Sequence, residues 1–506
     1  MDEVVEFAKI VLFIAGAFTL AVVSSKVTER VPIPAPAVFL GAAAVASDLW
    51  APLGRVLSIE AVERISVVAL VLILFSGGMD IGFAHFKRSA VPIVLLGVPG
   101  TFLVAGLMAA AAHFVLGLSW TTAGIIGVAL APTDPAVVFS VMGRREVVGR
   151  AGTILEGESG ANDPVGIALM LALLALATGA AGSVGGVALE LALEMIVGAA
   201  VGVAGAALLL PFMRRISLPG EGLYPLRTLG AIGLIYGATS LLHGSGFLAV
   251  FVAGIVIGDE RAPYKAEIER FHSSLASLAE ITVFVAMGLS IDLVALTKAG
   301  VWLHGLVLAL LLAFVVRPLV IGTMLLPVRI TSGERVFLAW SGLKGAVPIL
   351  LGAFAVLAGV SDSQRVYGIV FLVVAFSVMV QGATMPWVAT KLGVPMRVRE
   401  PEPWDLSIRM RHEPRGVQRY VIGAGAEAEH TAIRDLPIGE DAWISLVIRD
   451  GVPAQARGDY VLRSQDELLV LAEAENAPAL RLMFEGGHSP GSAGGRGATL
   501  PGDDGA

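Results

Sequence analysis

The sequence predicts an all-α polytopic membrane protein followed by a small α/β domain in the cytosol, and three observations carry this reading. Apolar residues make up 56% of the 506-residue chain and charged residues only 15%, a balance outside that of soluble globular proteins. Residues 1–400 hold 25 basic and 25 acidic side chains, against 10 and 17 in residues 401–506, so the net charge of −7 falls wholly in the tail. Runs of about 20 apolar residues, the length a helix needs to cross hydrocarbon, recur thirteen times before residue 395. The division expected is therefore a membrane domain over 1–395, a charged linker over 396–415, a folded domain over 416–484 and a disordered, Gly- and Ser-rich end over 485–506. Neither part has the basic surplus of a nucleic-acid binder. The absence of Cys excludes disulfide frameworks, thiolate zinc sites and thiol catalysis.

The expected spans are 4–24, 36–54, 65–84, 91–116, 120–142, 151–178, 185–213, 228–243, 245–258, 271–293, 300–326, 335–358 and 366–390. Acidic Asp2 and Glu3 stand where a secretory signal would be basic, so the first run is read as a retained span. Lys and Arg accumulate on the cytoplasmic side of short loops, and here they alternate. Loops after odd spans carry Lys26 and Arg30; Lys87 and Arg88; Arg144, Arg145 and Arg150; Arg214, Arg215 and Arg227; Arg261, Lys265 and Arg270; and Arg329. Loops after even spans carry Arg55 and Arg64, Lys298, and Arg365. An outside N-terminus, thirteen crossings and a cytoplasmic C-terminus satisfy this alternation, placing the protein in the cytoplasmic (inner) membrane among lipid.

Four segments hold residues that hydrocarbon rejects. They are Ala131-Pro132-Thr133-Asp134-Pro135 in the fifth span, Glu156 to Pro164 in the sixth, Arg317-Pro318 in the eleventh and Gly342 to Pro348, including Lys344, in the twelfth. Three central acids in the sixth span cost roughly 8–10 kcal/mol, while ten large aliphatic residues return only about 5. That span must therefore face a polar cavity or ion partners, the usual place of functional intramembrane charges. Glu158 and Asn162, and likewise Ser159 and Asp163, are four residues apart and form adjacent polar rows on one helix face. Pro132 and Pro135 interrupt the fifth helix around Asp134, and Gly342, Gly345 and Pro348 interrupt the twelfth. Half-helix ends near mid-membrane can hold an ion, and the placement of the two breaks, seven spans apart, suits inverted six-span repeats over spans 1–6 and 8–13. Glu190, Glu194, Glu280 and Asp292 stand singly near expected span ends and are read as structural.

Carboxylate, hydroxyl and carbonyl oxygens suit an alkali cation or a proton and offer little to a transition metal. A carboxylate that is either protonated or cation-bound, never both, supplies exchange directly. Asp163 is the candidate for that shared group, Asp134 is a second ligand, and Arg317 and Lys344 are counter-charges. The Glu-Ser-x-x-Asn-Asp segment, the preceding Thr-Asp-Pro span, the later embedded Arg and the Gly-Leu-Lys-Gly segment together resemble the monovalent cation:proton antiporter family of the NhaP proteins and animal Na⁺/H⁺ exchangers. The resemblance covers spans three to thirteen. It implies cation binding by Asp163 and Asp134, assisted by Ser159, Asn162 and the Thr133 backbone, and a structural ion pair between Glu158 and Arg317. It also implies a homodimer and, from the Asn162-Asp163 pair, electroneutral exchange of one cation per proton; no cofactor and no enzymatic activity are implied. Lys344 stands where many relatives have Arg, which forfeits a bidentate contact. Ser76 stands where many carry an acid.

In the tail, strands are expected at 419–422, 442–448, 460–462 and 467–471, and a short helix at 431–436. Ile448-Arg449-Asp450-Gly451, Gly458 to Leu462 and Asp466 to Leu471 resemble the TrkA C-terminal (RCK-C) regulatory domain of potassium transport systems. That resemblance implies regulation by dimerisation or a small ligand such as a cyclic dinucleotide, and favours K⁺ over Na⁺. Two other classes fare worse. Gly157-Glu158-Ser159-Gly160 matches the nucleophile pattern of rhomboid-type intramembrane proteases, but a protease needs a base near its Ser, and His113, His243 and His304 all lie near span ends. A cation channel would need a filter sequence that the chain lacks.

Overall fold

The computed structural model describes residues 35–50, 57–142, 145–179, 184–297, 300–398, 417–438, 442–472 and 476–486, with Ala8, Leu12, Gly16 and Thr19 besides. The chain divides into two units, Met1–Glu400 and Pro401–Ala506. Among the described residues of the first unit, six helical stretches are long and apolar enough to cross a membrane: Ile59–Leu116, Arg150–Ala177, Gly185–Arg215, Lys265–Ser290, Val301–Met324 and Ser363–Lys391.

The helices that follow the expected second to thirteenth spans begin with α1 (Ala35–Leu49) and α2 (Ile59–Leu95), which runs through a π-helical turn, Leu96–Gly100, into α3 (Thr101–Leu116). The loop expected between the third and fourth spans is absent: the chain turns at Gly82 alone, whose φ of 64° suits a residue without Cβ. A side chain there would overlap the Asp259 carboxylate, which accepts the Ala84 N–H at 2.5 Å. The fifth span is broken as expected, into α4 (Trp120–Ala129) and α5 (Pro135–Met142). Next come α6 (Arg150–Ala177), α7 (Val184–Arg215), α8 (Leu223–Leu241), α9 (Gly246–Gly258) and α10 (Lys265–Ser290). The eleventh span is α11 (Val301–Leu311), a π-helical turn and α12 (Arg317–Met324). The twelfth is broken into α13 (Ser332–Trp340) and α14 (Ala346–Leu357), and the last is α15 (Ser363–Phe376), a π-helical turn at Ser377–Gly382 and α16 (Ala383–Lys391). Of the first expected span, only the four isolated residues are described, each helical.

The linker expected from residue 396 starts later. Met396–Val398 (β2) pairs antiparallel with Arg145–Val147 (β1), in the segment joining α5 to α6, and so belongs to the membrane unit. Most of the linker and the end beyond 486 lie outside the described residues.

The second unit is a four-stranded antiparallel sheet in the order β3 (Val417–Val421), β6 (Glu467–Ala472), β4 (Ala442–Arg449), β5 (Val452–Gln455). Strands β4 and β5 meet at Asp450-Gly451, both at positive φ, as a tight hairpin requires. Alternate residues of β4 and β6, including Ile444, Leu468 and Val470, pack on Tyr420, Leu480 and Phe484. The strand expected at 460–462 reduces to one bridge, Val461 to Ala432, whereas β5, with Pro453 and Ala454, lacked the β-branched signature and was not anticipated. The short helix expected at 431–436 is a single 3₁₀ turn, Ile433–Asp435.

Candidate functional site

The two broken helices meet at their breaks. The Asp134 N–H donates to the Leu343 carbonyl at 2.8 Å, joining the loop between α4 and α5 to the loop between α13 and α14. Each break lends an ionisable side chain to the other. The Lys344 ammonium donates to the carbonyls of Ala131 (3.1 Å) and Pro132 (2.8 Å), just beyond the C-terminal end of α4. One Asp134 oxygen accepts the Ala346 N–H at 3.3 Å, at the N-terminal end of α14. Helix ends carry unpaired backbone groups and partial charges of these signs, so the cation and the anion sit where each is favoured. Gly345 is obligatory here, because a Cβ would overlap the Asp134 carboxylate. The π-helical turn after α15 brings Ser377 to accept the Lys344 N–H at 3.0 Å and Gln381 to donate to the Trp340 carbonyl at 3.2 Å.

Helix α6 approaches the first break with the two polar rows read from its sequence. The Ser159 hydroxyl donates to the Thr133 carbonyl at 2.5 Å. Asn162 donates to the Thr133 hydroxyl at 2.8 Å and accepts the Thr133 N–H at 3.3 Å. Asp163, only 5% exposed, is held differently: among the described residues its Oδ1 has no hydrogen-bond partner. It lines a cavity of about 1600 Å³ together with Asp134, Ser159, Ser76 and half-buried Glu156. Toward its mouth the cavity is bounded by exposed Arg88, Arg150, Arg270 and Arg397.

Glu158 and Arg317 form a two-pronged ion pair, with Nη1 on Oε1 and Nη2 at 2.8 Å from Oε2. Their exposures are 1% and 3%, and Nη2 also donates to the Leu338 carbonyl at 3.3 Å. Once this pair cancels, the fully buried charges of the described membrane unit are Asp134, Asp163 and Lys344, two anions facing one cation. The single negative charge left over is costly in a low-dielectric interior unless a cation or a proton joins it.

Among the cavity residues that the sequence reading leaves without a role is Glu280. Glu280 was placed near a span end, but it lies in the middle of α10 and lines the cavity with Asp163. The signal available was the spacing of Ser273, Ser277 and Glu280, four and three residues apart on one face of a helix.

A family model described as "Sodium/hydrogen exchanger, transmembrane" matches residues 11–391. The K(+)/H(+) antiporter NhaP of Alkalimonas amylolytica is 30% identical over 483 residues, covering 94% of this chain and 83% of that one. The K(+)/H(+) antiporter NhaP2 of Shewanella sp. (strain MR-4) is 28% identical over 93% of this chain and 83% of that one. The Na(+)/H(+) antiporter NhaH of Halobacillus aidingensis is 30% identical over 66% of this chain and 84% of that one. In three dimensions, the sodium proton antiporter MjNhaP1 from Methanocaldococcus jannaschii aligns with a TM-score of 0.65 and 23% identity, over 76% of this chain and 99% of that one, a likeness of fold.

Proposed function

The chain belongs to the sodium/hydrogen exchanger family, and from that premise we propose that it is a cation:proton antiporter exchanging one K⁺ for one H⁺ without moving net charge. The observation that carries the proposal is Asp163, a buried carboxylate with a bare oxygen on the wall of a cavity. Either ligand cancels the one surplus negative charge, and binding one expels the other. Asp134 is the second cation ligand, Ser159, Asn162 and Thr133 shape the site between them, and the Glu158–Arg317 pair holds α6 to α12. Lys344 keeps the count at one surplus charge, which supports one-for-one exchange.

The Arg-lined mouth lies on the side that the loop charges assign to the cytoplasm, so this conformation faces inward, with the N-terminus outside and the C-terminus in the cytoplasm. K⁺ is favoured because relatives named K⁺/H⁺ antiporters match 93–94% of the chain. Na⁺ is the second reading, favoured by the Halobacillus relative, which matches 66% of the chain. The tail acts as an RCK-C-like regulatory domain, with dimerisation or a small ligand such as a cyclic dinucleotide as its input, and the transporter works as a homodimer. The test is proton flux in proteoliposomes holding a pH dye, with K⁺, Na⁺ or Li⁺ added outside and the membrane potential set to zero or to a finite value. Luminal alkalinisation driven by K⁺ and indifferent to potential is the expected result; cation current without proton movement would mean a channel.

A further inference from the structure

The exchange reading leaves unused a further carboxylate in the cavity, Glu280. Glu280 projects from α10, and among the described residues its Oε1 is enclosed without a hydrogen-bond partner. It shares the cavity with Asp134 and Asp163. Ser277 and Ser273 line the same cavity on the same face of α10, about one and two turns nearer the mouth. The Ser277 hydroxyl donates to the Ser273 carbonyl at 3.0 Å, which leaves its own oxygen lone pairs for the cleft. Accessibility falls along this line: Ser273 and Ser277 are exposed, Glu280 is half-buried and Asp163 is buried. On the wall formed by α2, buried Ser76 supplies a hydroxyl and exposed Asp80 a carboxylate farther out. A carboxylate with a bare oxygen in a membrane interior is unfavourable unless a proton or cation sits on it.

We infer that Glu280, with Ser277, is an entry site at which a monovalent cation, still partly hydrated, is held before it passes to Asp163. The inference rests on the antiport reading and adds a station to it. Hydroxyl and carboxylate oxygens replace part of the cation's water at Glu280, and the rest is shed at the drier Asp163. The half-buried Glu280 carboxylate raises the local cation concentration without binding tightly enough to trap the ion.

The test uses the full chain in proteoliposomes. Glu280→Gln is expected to keep its maximal exchange rate while the apparent constant for K⁺ rises about five- to tenfold, the loss of one unit-charge contact in a wet cleft. Because the chain has no Cys, Glu280→Cys supplies a single thiol. Its modification by an anionic methanethiosulfonate is expected to restore the parent constant, a neutral reagent of similar size to leave it raised, and saturating K⁺ to slow the modification. A parent-like constant in Glu280→Gln, or a thiol whose modification K⁺ does not slow, would overturn the entry site. Should Glu280→Gln not fold, Glu280→Asp decides by the same constant: a rise supports the site and no change overturns it. Failure of the underlying reading looks different, since the unmutated chain would then show no cation-driven proton flux.

Discussion

Asp163 and Arg317 are both buried charges, and their substitutions are expected to part ways because their surroundings differ. Asp163→Asn removes a charge with a bare oxygen while keeping the side chain's shape. Exchange should fall to background with folded yield and melting temperature unchanged or raised, as assayed by proton flux and thermal melting of the same preparation; persisting exchange would remove Asp163 from the centre of the mechanism. Arg317→Ala instead strands Glu158, whose oxygens meet both guanidinium nitrogens. Breaking such a pair costs about 3–5 kcal/mol, so extractable yield and melting temperature should drop, and normal values of both would show that the pair is not structural. These residues were legible in the sequence because a charge inside an apolar run is conspicuous. Glu280 was not, since a lone acid without a motif gains meaning only when the fold brings Asp163 and Asp134 to the same cavity.

At the scale of elements, the site is made by two interruptions that cap each other. Pro132, Pro135, Gly342, Gly345 and Pro348 mark both breaks in the sequence, so the broken helices were readable from local chemistry. Their contact was not: the Asp134 to Leu343 hydrogen bond and the Lys344 contacts with Ala131 and Pro132 join residues more than two hundred positions apart. The π-helical turn at Ser377–Gly382 was not readable either, because its Ser377 and Gln381 are held by Lys344 and Trp340, distant in sequence. Gly345→Ala tests the crossing. The added methyl overlaps the Asp134 carboxylate and pushes it from the N-terminus of α14. Overpacking of this kind costs about 1–3 kcal/mol, so the variant should be somewhat less stable and should lose most cation-driven proton flux. Parent-like flux would mean that Asp134 need not sit between the half-helices.

Across the whole molecule, the jump in charge density after residue 400 foretold two units, while the hydrogen-bonded end of the first was invisible because β2 finds its partner in a distant loop. The tail carries its own core and its own ion pair, between buried Asp466 and half-buried Arg449. Burial pushes the Asp466 carboxyl up, but hydrogen bonds from the Arg449 side chain and the Arg463 N–H, with the charges of both arginines, outweigh it and hold Asp466 below its ordinary value of 3.8. A depressed acid contributes stability that is complete above its unfolded value and is lost as pH falls through the folded one. Asp466→Asn should therefore cost the tail about 1–3 kcal/mol near neutral pH and progressively less in acid, read as lost hydrogen-exchange protection in β4 and β6; equal protection at pH 7 would show that the pair is dispensable. Where the chain is cut should matter to within a few residues. A chain ending after Val398 keeps β2 paired with β1, the strand between α5, which Asp134 immediately precedes, and α6, which carries Asp163, and should exchange cations with parent constants while losing any response to a tail ligand. A chain ending after Gly393 loses the β1 pairing and the Val148 N–H contact with the Pro395 carbonyl at 3.1 Å, so the loop between α5 and α6 loses its anchor. Its exchange should weaken although every membrane helix is present, and equal flux from the two truncated chains would show that β2 only marks the exit of the chain.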